Sequence, residues 1–353
     1  MKGLILSGGT GSRLRPITYT RAKQLVPVGN VPIIHFGIKA IRDAGITDIG
    51  IVVGDTGEEI MQALEDGSRF GVKFTYIHQE KPLGLAHAVK VSEEFLGDES
   101  FVMYLGDNLI LSGIKSLVQE FSDKNPDALL LLSRVKDPQR FGVAELSGNR
   151  IVSLEEKPQH PKSDLALVGV YMFNHRIFNA IDNIKPSKRN ELEITDAIQY
   201  LIDHKSSVLS HIVSGWWKDT GKLQDMLEAN RMYLDTIKTS IEGEIINSKI
   251  EHRVVLGSGS TVKGSTVRGP VVIGKNTSII DSFIGPFTSL GDNVSIINSE
   301  IENSIVMEQC RITDIETSIT DSLLGKGAEV RKTSDKPRRH RLMIGELSSI
   351  EII

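Results

Sequence analysis

Residues 3–16 read Gly-Leu-Ile-Leu-Ser-Gly-Gly-Thr-Gly-Ser-Arg-Leu-Arg-Pro, and Ala-Lys-Gln-Leu-Val-Pro follows at 22–27. An apolar run ending at Leu6 feeds a loop that carries Gly8, Gly9 and Gly11, with Arg13, Arg15 and Lys23 close behind. Glycines let the backbone approach a ligand, so that successive N–H groups point at phosphate oxygens. The cations then neutralise the charge that the amides orient. That is chemistry for holding a polyphosphate. Two common phosphate motifs do not fit. A P-loop ends in Gly-Lys-Ser/Thr, which does not occur in the chain. A dinucleotide fingerprint needs a third glycine where Leu14 stands. Read alone, the stretch is also compatible with a Gly-rich turn and solvated cations.

Four further segments carry residues of the same chemistry. Asp107 stands in Leu-Gly-Asp-Asn, and Asp219 in Trp216-Trp217-Lys218-Asp219-Thr220-Gly221. Glu156 and Lys157 stand in Glu-Glu-Lys-Pro, and Gln79 and Gly84 in His-Gln-Glu-Lys-Pro-Leu-Gly-Leu-Ala. Each by itself also reads as a turn, a solvated loop or a core glutamine. Together they match what joining two phosphorylated compounds at an α-phosphorus requires, where positioning and charge carry the rate. An arginine fork such as Arg13 bridges α- and β-oxygens. The Gln79 amide donates and accepts at once, as a pyrimidine imide edge demands. No Ser, Cys or His in these motifs stands beside a base as a nucleophile.

The string Gly-Gly-x-Gly-x-Arg-Leu-x-Pro, a spacer and Lys-Gln-x-x-Pro over residues 8–27 resembles the signature loop of the sugar-1-phosphate nucleotidylyltransferases. Further matches run in order to about Gly221. The resemblance implies catalytic roles for Arg13, Lys23, Asp107, Lys157 and Asp219. It implies a nucleotide site at Leu6, Gly8, Gly9, Thr10, Gly11, Gln79 and Gly84. Gly142, Glu156, Lys157, Gly169, Tyr171 and Glu193 match positions around the sugar phosphate. Asp107 and Asp219 match positions that hold Mg²⁺, a metal satisfied by one or two carboxylates plus phosphate oxygens and water. Lys-Gln-Leu-Val-Pro, Gln-x-x-x-x-Gly-Leu-Ala and Glu-Leu-Glu-Ile-Thr-Asp (191–196) resemble the subgroup that joins dTTP and α-D-glucose 1-phosphate into dTDP-glucose and pyrophosphate. The added C-terminal repeats resemble that subgroup's long form, linked to deoxysugar pathways. Effector regulation familiar in the short form is not carried over. Two alternatives stand beside this reading: UTP or another sugar 1-phosphate as substrate, and a non-catalytic regulatory homologue, against which the presence of all five catalytic candidates argues.

These residues need a scaffold. Apolar runs at 2–7, 48–53, 73–77, 101–105 and 128–133 alternate with amphipathic stretches at 33–44, 57–64, 85–95 and 116–121. Strand–helix alternation predicts an α/β domain with a Rossmann-like, mostly parallel sheet. Ligands bind such sheets beyond the carboxyl ends of the strands, where both the glycine loop and Gly106-Asp107-Asn108 lie.

After about residue 243 the pattern changes. Leu256, Ile273, Leu290, Met307 and Leu324 recur every 17 residues, and Gly257, Gly274, Gly291 and Gly325 follow four of them. Val262, Ile279 and Ile296 keep the same spacing, as do Val267, Ile284 and Ile301. One inward aliphatic per face on three faces predicts a triangular coil whose rungs bury one another. The segment resembles the hexapeptide-repeat left-handed parallel β-helix. The coil near Val306 is irregular, with Glu308 expected in its glycine position, and predicts a distorted rung or a contact surface. The expected domains are 1–238, nucleotidyltransferase, and 239–353, β-helix with a tail. That tail carries the cations Lys336, Arg338, Arg339, His340 and Arg341 before an apolar piece at 342–344. The β-helix is expected to assemble the chain rather than catalyse, since the acyl transfer such domains often perform needs a histidine and only His252 stands there.

At 353 residues the chain is long enough for two domains. A net charge of −4 carries no basic excess for nucleic acid. The single cysteine, Cys310, excludes an internal disulfide and a cysteine-based zinc cluster. The N-terminal apolar run is short for a signal peptide, and no stretch approaches the roughly 20 residues of a membrane span. The expectation is a cytoplasmic homo-oligomer, assembled in part through the β-helix, with small-molecule substrates and no membrane or nucleic-acid partner.

Overall fold

The computed structural model describes residues 1–9, 11–213, 215, 217–333, 342 and 344–351. Thr10, Trp216 and the cluster Lys336, Arg338, Arg339, His340 and Arg341 lie outside the described residues. The chain divides into two compact units. One comprises Met1–Thr10, Arg21–Leu25 and Ile33–Asp219, and the other Gly11–Thr20, Val26–Pro32 and Thr220–Ile353.

The first unit is built on a nine-stranded sheet. Its N-terminal part holds β1 (Lys2–Leu6), β2 (Asp48–Val53), β3 (Lys73–His78) and β4 (Phe101–Leu105). A short strand outside the sheet, β5 (Asn108–Ile110), follows. The sheet continues with β6 (Ala128–Arg134), β7 (Gly142–Ser147), β8 (Arg150–Glu156), β9 (Leu165–Phe173) and β10 (Val208–Ile212). The spatial order is β3-β2-β1-β4-β9-β6-β10-β8-β7. From β3 to β4 every pairing is parallel, and β10 runs parallel to β6. Strand β9 runs antiparallel between β4 and β6, and the β8–β7 edge is also antiparallel.

Side chains alternate across the strands and fill two cores, one on each face. Leu4, Leu6, Phe101, Met103, Tyr171 and Phe173 enter one; Ile5, Val102, Tyr104, Val170 and Met172 enter the other. Helix α1 (Ile33–Asp43) lays Ile34, Ile38 and Ile41 on the second core at helical spacing. The unit also holds α2 (Gly57–Leu64), α4 (Glu93–Leu96), α5 (Lys115–Lys124) and α6 (Arg176–Asp182); on the first face lie α3 (Leu85–Lys90) and α7 (Ile194–Asp203), the latter through Ile194, Ala197, Ile198 and Leu201. The helix expected over 85–95 breaks after α3 and resumes at Glu93–Leu96. At the break, buried Ser92 donates its hydroxyl to the Ala88 carbonyl, 2.8 Å away, in competition with the helical ladder.

In the second unit, parallel sheets of six, six and four short strands stack into a three-sided β-helix. Leu256, Ile273 and Leu290 line one inner column, Val262, Ile279 and Ile296 a second, and Val267, Ile284 and Ile301 a third. Serines tie the coils together. Ser265 Oγ donates to the Lys263 carbonyl and accepts from Ser282 N at 3.0 Å, and Ser282 repeats this with Ile280 and Ser299. The irregular rung is a compensated slip. Val306, not Met307, pairs with Leu290 and Leu324, so the residue standing against Gly291 is Met307 and not Glu308. The serine bond shortens from 17 residues to 16 where Ser299 meets Ile315 and lengthens to 18 where Ser304 meets Ser322, which restores the register. Leu342 and Ile344 of the tail are exposed and belong to no strand. No helix among the described residues is long and apolar enough to cross a membrane.

Candidate active site

The carboxyl ends of β1 and β4 bring the first group of candidates together. Leu6 ends β1, and Gly8 packs where any Cβ would lie 3.2 Å from Gln79 Oε1. A Cβ on Gly9 would have only the Gln24 amide, 4.0 Å away, as a neighbour. Ser7 Oγ and Gln24 Oε1 are buried beside this loop with no hydrogen-bond partner among the described residues. Unsatisfied buried groups of this kind cost free energy unless a ligand or water meets them. Gly11 and Arg13 belong to the second unit. There Gly11, at φ 63°, precedes the turn Ser12–Leu14 and accepts from Thr18 Oγ1 at 2.8 Å, and Arg13 is exposed.

Lys23, only 6% exposed, forms an ion pair with Asp107, whose other oxygen accepts from Asn108 Nδ2 at 2.9 Å. Burial by itself would raise the Asp107 carboxyl. The Lys23 charge and the bonds from Lys23 and Asn108 outweigh it and hold the group below the usual carboxylate range. Strand β11 (Trp217–Asp219) pairs antiparallel with β5, setting Asp219 directly opposite Asn108. Asp219, far from Asp107 in sequence, thus ends a small ladder whose other strand Asp107 immediately precedes.

Asn108 is the hub of this arrangement and was not among the expected residues. Its Oδ1 accepts from Trp217 Nε1, and its backbone carbonyl from Tyr104 Oη at 3.2 Å. Its amide lies flat on Gly169, where an added Cβ would stand 2.9 Å from Asn108 Cγ, Oδ1 and Nδ2. Gly169 also takes φ +43°, so both space and backbone require glycine. Trp217 packs edge-on against Phe141 with ring centroids 5.2 Å apart.

The sugar-side candidates meet beside α7. Lys157 follows β8 at φ 46°, donates its backbone N–H to Phe141 O at 3.0 Å, and sets its ammonium 3.2 Å from Glu156. Gly142 lets the Glu156 carboxylate approach, since its Cβ would lie 3.2 Å from Glu156 Oε2. Glu193 is buried and engaged: both oxygens accept from Arg189 Nη2 at 2.8 Å, and Oε1 accepts from Ser187 Oγ at 2.7 Å. Arg189 also reaches Glu156 at 3.5 Å. Sequence reading passed over Arg189, which sits in the Ser-Lys-Arg-Asn-Glu run just before Glu193; that polar run was its only signal. Tyr171 is core-buried, and burial, then the Glu156 charge, pushes its hydroxyl well up.

Gln79 ends the β3 side, 8% exposed, with Nε2 3.2 Å from Gly84 O and 3.0 Å from His87 Nδ1. Gly84 takes φ +106°, and a Cβ there would strike Leu192 O at 2.4 Å.

Comparison with known proteins identifies the family. The nucleotidyl transferase family matches residues 2–236. A glucose-1-phosphate thymidylyltransferase of Streptomyces griseus is 51% identical over 100% of this chain and 99% of its own. One from Streptomyces antibioticus is also 51% identical over the same shares. A Bacillus anthracis structure, described as a glucose-1-phosphate thymidylyltransferase with bound sucrose, superposes with a TM-score of 0.63 at 40% identity, covering 68% of this chain and 97% of its own. With the glycine loop, the two aspartates and the sugar-side carboxylates on one scaffold, the chain belongs to the nucleotidyl transferase family.

Proposed function

We propose that this chain transfers a thymidylyl group from dTTP to α-D-glucose 1-phosphate, giving dTDP-glucose and pyrophosphate. The observation that carries the reading is the convergence of Lys23, Asp107 and Asp219 at one ladder beside the carboxyl ends of β1 and β4. A phosphate oxygen of the sugar phosphate attacks the α-phosphorus in line. The bond from that phosphorus to its bridging oxygen breaks, and the electron pair leaves with pyrophosphate.

In this reading the amides of Gly8 and Gly9 and the cation Lys23 grip the triphosphate, a task that the family resemblance assigns also to Thr10, Gly11 and Arg13. Lys23 and Asp107 neutralise each other beforehand; the triphosphate then draws Lys23 to itself and frees an oxygen of Asp107. Lys157 holds the phosphate of the sugar, Glu156 accepts from sugar hydroxyls, and Arg189 keeps Glu193 oriented. Asp107 and Asp219 would hold Mg²⁺. Two carboxylates and no larger cluster of His, Cys, Asp or Glu among the described residues fit an ion that keeps water and phosphate oxygens as its other ligands. When bound, it supplies neutralisation of triphosphate charge.

Residues 1–238 serve as the catalytic domain in this reading, and 239–353 as the β-helix domain. Homo-oligomer formation through the β-helix goes with it: Ile241 and Ile245 of the first coil are 40% and 39% exposed, and sedimentation measures the assembly. A cytoplasmic setting suits the free, buried Cys310.

The deciding experiment is a matrix of nucleoside triphosphates against sugar 1-phosphates with Mg²⁺, read as pyrophosphate release. The expected maximum lies at dTTP with glucose 1-phosphate. UTP shares the imide edge, and one methyl is worth about 1–3 kcal/mol, so UTP is expected as the slower substrate. No release with either pyrimidine triphosphate overturns the reading.

A further inference from the structure

The base-reading amide of Gln79 can present either face, and the face decides which base it accepts. Its surroundings determine that choice. Gly84 O lies 3.2 Å from Nε2 and already accepts from Ala88 N at 3.2 Å; a carbonyl cannot donate, so the group facing it must be the –NH₂. His87, half-buried in α3, presents Nδ1 to the same Nε2 at 3.0 Å. Both hydrogens of the amide are thereby used, one on each partner, provided Nδ1 carries a lone pair and the proton of the ring sits on Nε2; Gln79 then accepts from the base without also donating to it, which corrects the double role expected from its residue type alone. The carbonyl Oε1 is left facing Gly8, with no donor among the described residues.

We infer that His87 is a specificity-determining positioning residue: as a hydrogen-bond acceptor it fixes the Gln79 amide with its carbonyl toward the base, selecting N3–H of a thymine-type imide over the bare N3 of cytosine. This rests on the proposed function and deepens it. An amide free to rotate would offer –NH₂ to cytosine. Rotation here breaks the bond to His87 and sets Oε1 against the oxygen of Gly84. Two neighbours share the lock, so removing one relaxes the choice without erasing it.

The test compares kcat/KM for dTTP and dCTP in the whole protein and in H87L and H87Q, with ¹⁵N-histidine NMR of the wild type. Leucine fills the space without an acceptor, whereas glutamine restores one. The dTTP:dCTP ratio is expected to fall about tenfold in H87L, the size of one lost hydrogen bond, and to stay within about twofold in H87Q. The His87 Nδ1 resonance is expected at the position of an unprotonated, hydrogen-bonded nitrogen. An unchanged ratio in H87L, an equal fall in H87Q, or a protonated Nδ1 overturns the inference while dTTP turnover by the wild type leaves the function standing. A wild type that releases no pyrophosphate from dTTP overturns both.

Discussion

Asp219 stands directly across a two-strand ladder from Asn108, and Asn108 donates its amide to Asp107 at 2.9 Å. One asparagine therefore couples two carboxylates from segments more than a hundred residues apart. Trp217 closes the same ladder by donating to Asn108 across a separation of 109 residues. This ladder sets the backbone positions of the two aspartates, the kind of preorganisation that the proposed reaction would use.

Asp107 balances Lys23 and, in the proposed reaction, also offers carboxylate oxygen to the metal. Asp107→Asn keeps the shape and removes the charge. Pyrophosphate release is expected to fall on the order of 10²–10³-fold or more, with the far-UV circular dichroism unchanged. Mn²⁺ binding followed by electron paramagnetic resonance in the presence of dTTP should weaken in parallel. Unaltered turnover and Mn²⁺ binding would remove the metal role.

Gly169→Ala drives a methyl against the Asn108 amide, 2.9 Å away, and puts a Cβ on a backbone at φ +43°. The left-handed conformation alone costs about 1–2 kcal/mol. The amide must also move, taking Asp107 and Trp217 with it. The expected result is a loss of kcat of about tenfold or more, accompanied by a shift in the Trp217 emission maximum. Full activity with a native emission spectrum contradicts the hub role of Asn108.

Much of this was legible in the chain, and unevenly so. Strands 48–53 and 101–105 and the helix at 57–64 were readable to the residue: the strands are short apolar runs between polar or turn residues, and the helix is amphipathic. Strand β9 was not: Leu-Ala-Leu-Val-Gly-Val-Tyr-Met-Phe is interrupted by Gly169 at a left-handed φ, and its antiparallel insertion between β4 and β6 is a tertiary choice. The 17-residue period gave the β-helix but misread Met307, since a deletion followed by an insertion leaves the long-range spacing intact. Residue types at the site were visible from the motifs. Asn108, Arg189 and His87 were not, because each acts on a neighbour that only the fold supplies.

Ser282 tests the ladder inside the β-helix. It is 7% exposed, donates to Ile280 O at 2.6 Å and accepts from Ser299 N at 3.2 Å. Ser282→Ala leaves the Ser299 N–H buried without an acceptor, at a cost of about 1–3 kcal/mol. Urea unfolding should show a lower midpoint with the slope preserved. A midpoint within error of the wild type would mean that the coils hold through their backbone bonds and aliphatic columns alone.

His35 gives stability a pH dependence whose sign follows from its surroundings. It lies in α1, edge-on to Phe70 with ring centroids 4.9 Å apart, and its Nε2 is buried without a partner among the described residues. Burial first, then the Arg69 charge, lowers its pKa from 6.5 to about 4. The neutral ring suits the fold, so the unfolded chain binds the proton first as pH falls. Stability is fully present above about pH 6.5 and is lost as pH falls toward 4, by on the order of 2 kcal/mol once partial exposure is allowed for. Equilibrium unfolding between pH 7 and pH 4 measures the slope. His35→Phe, which cannot take up a proton, should flatten it, and a variant that keeps the wild-type slope would assign the dependence to other groups.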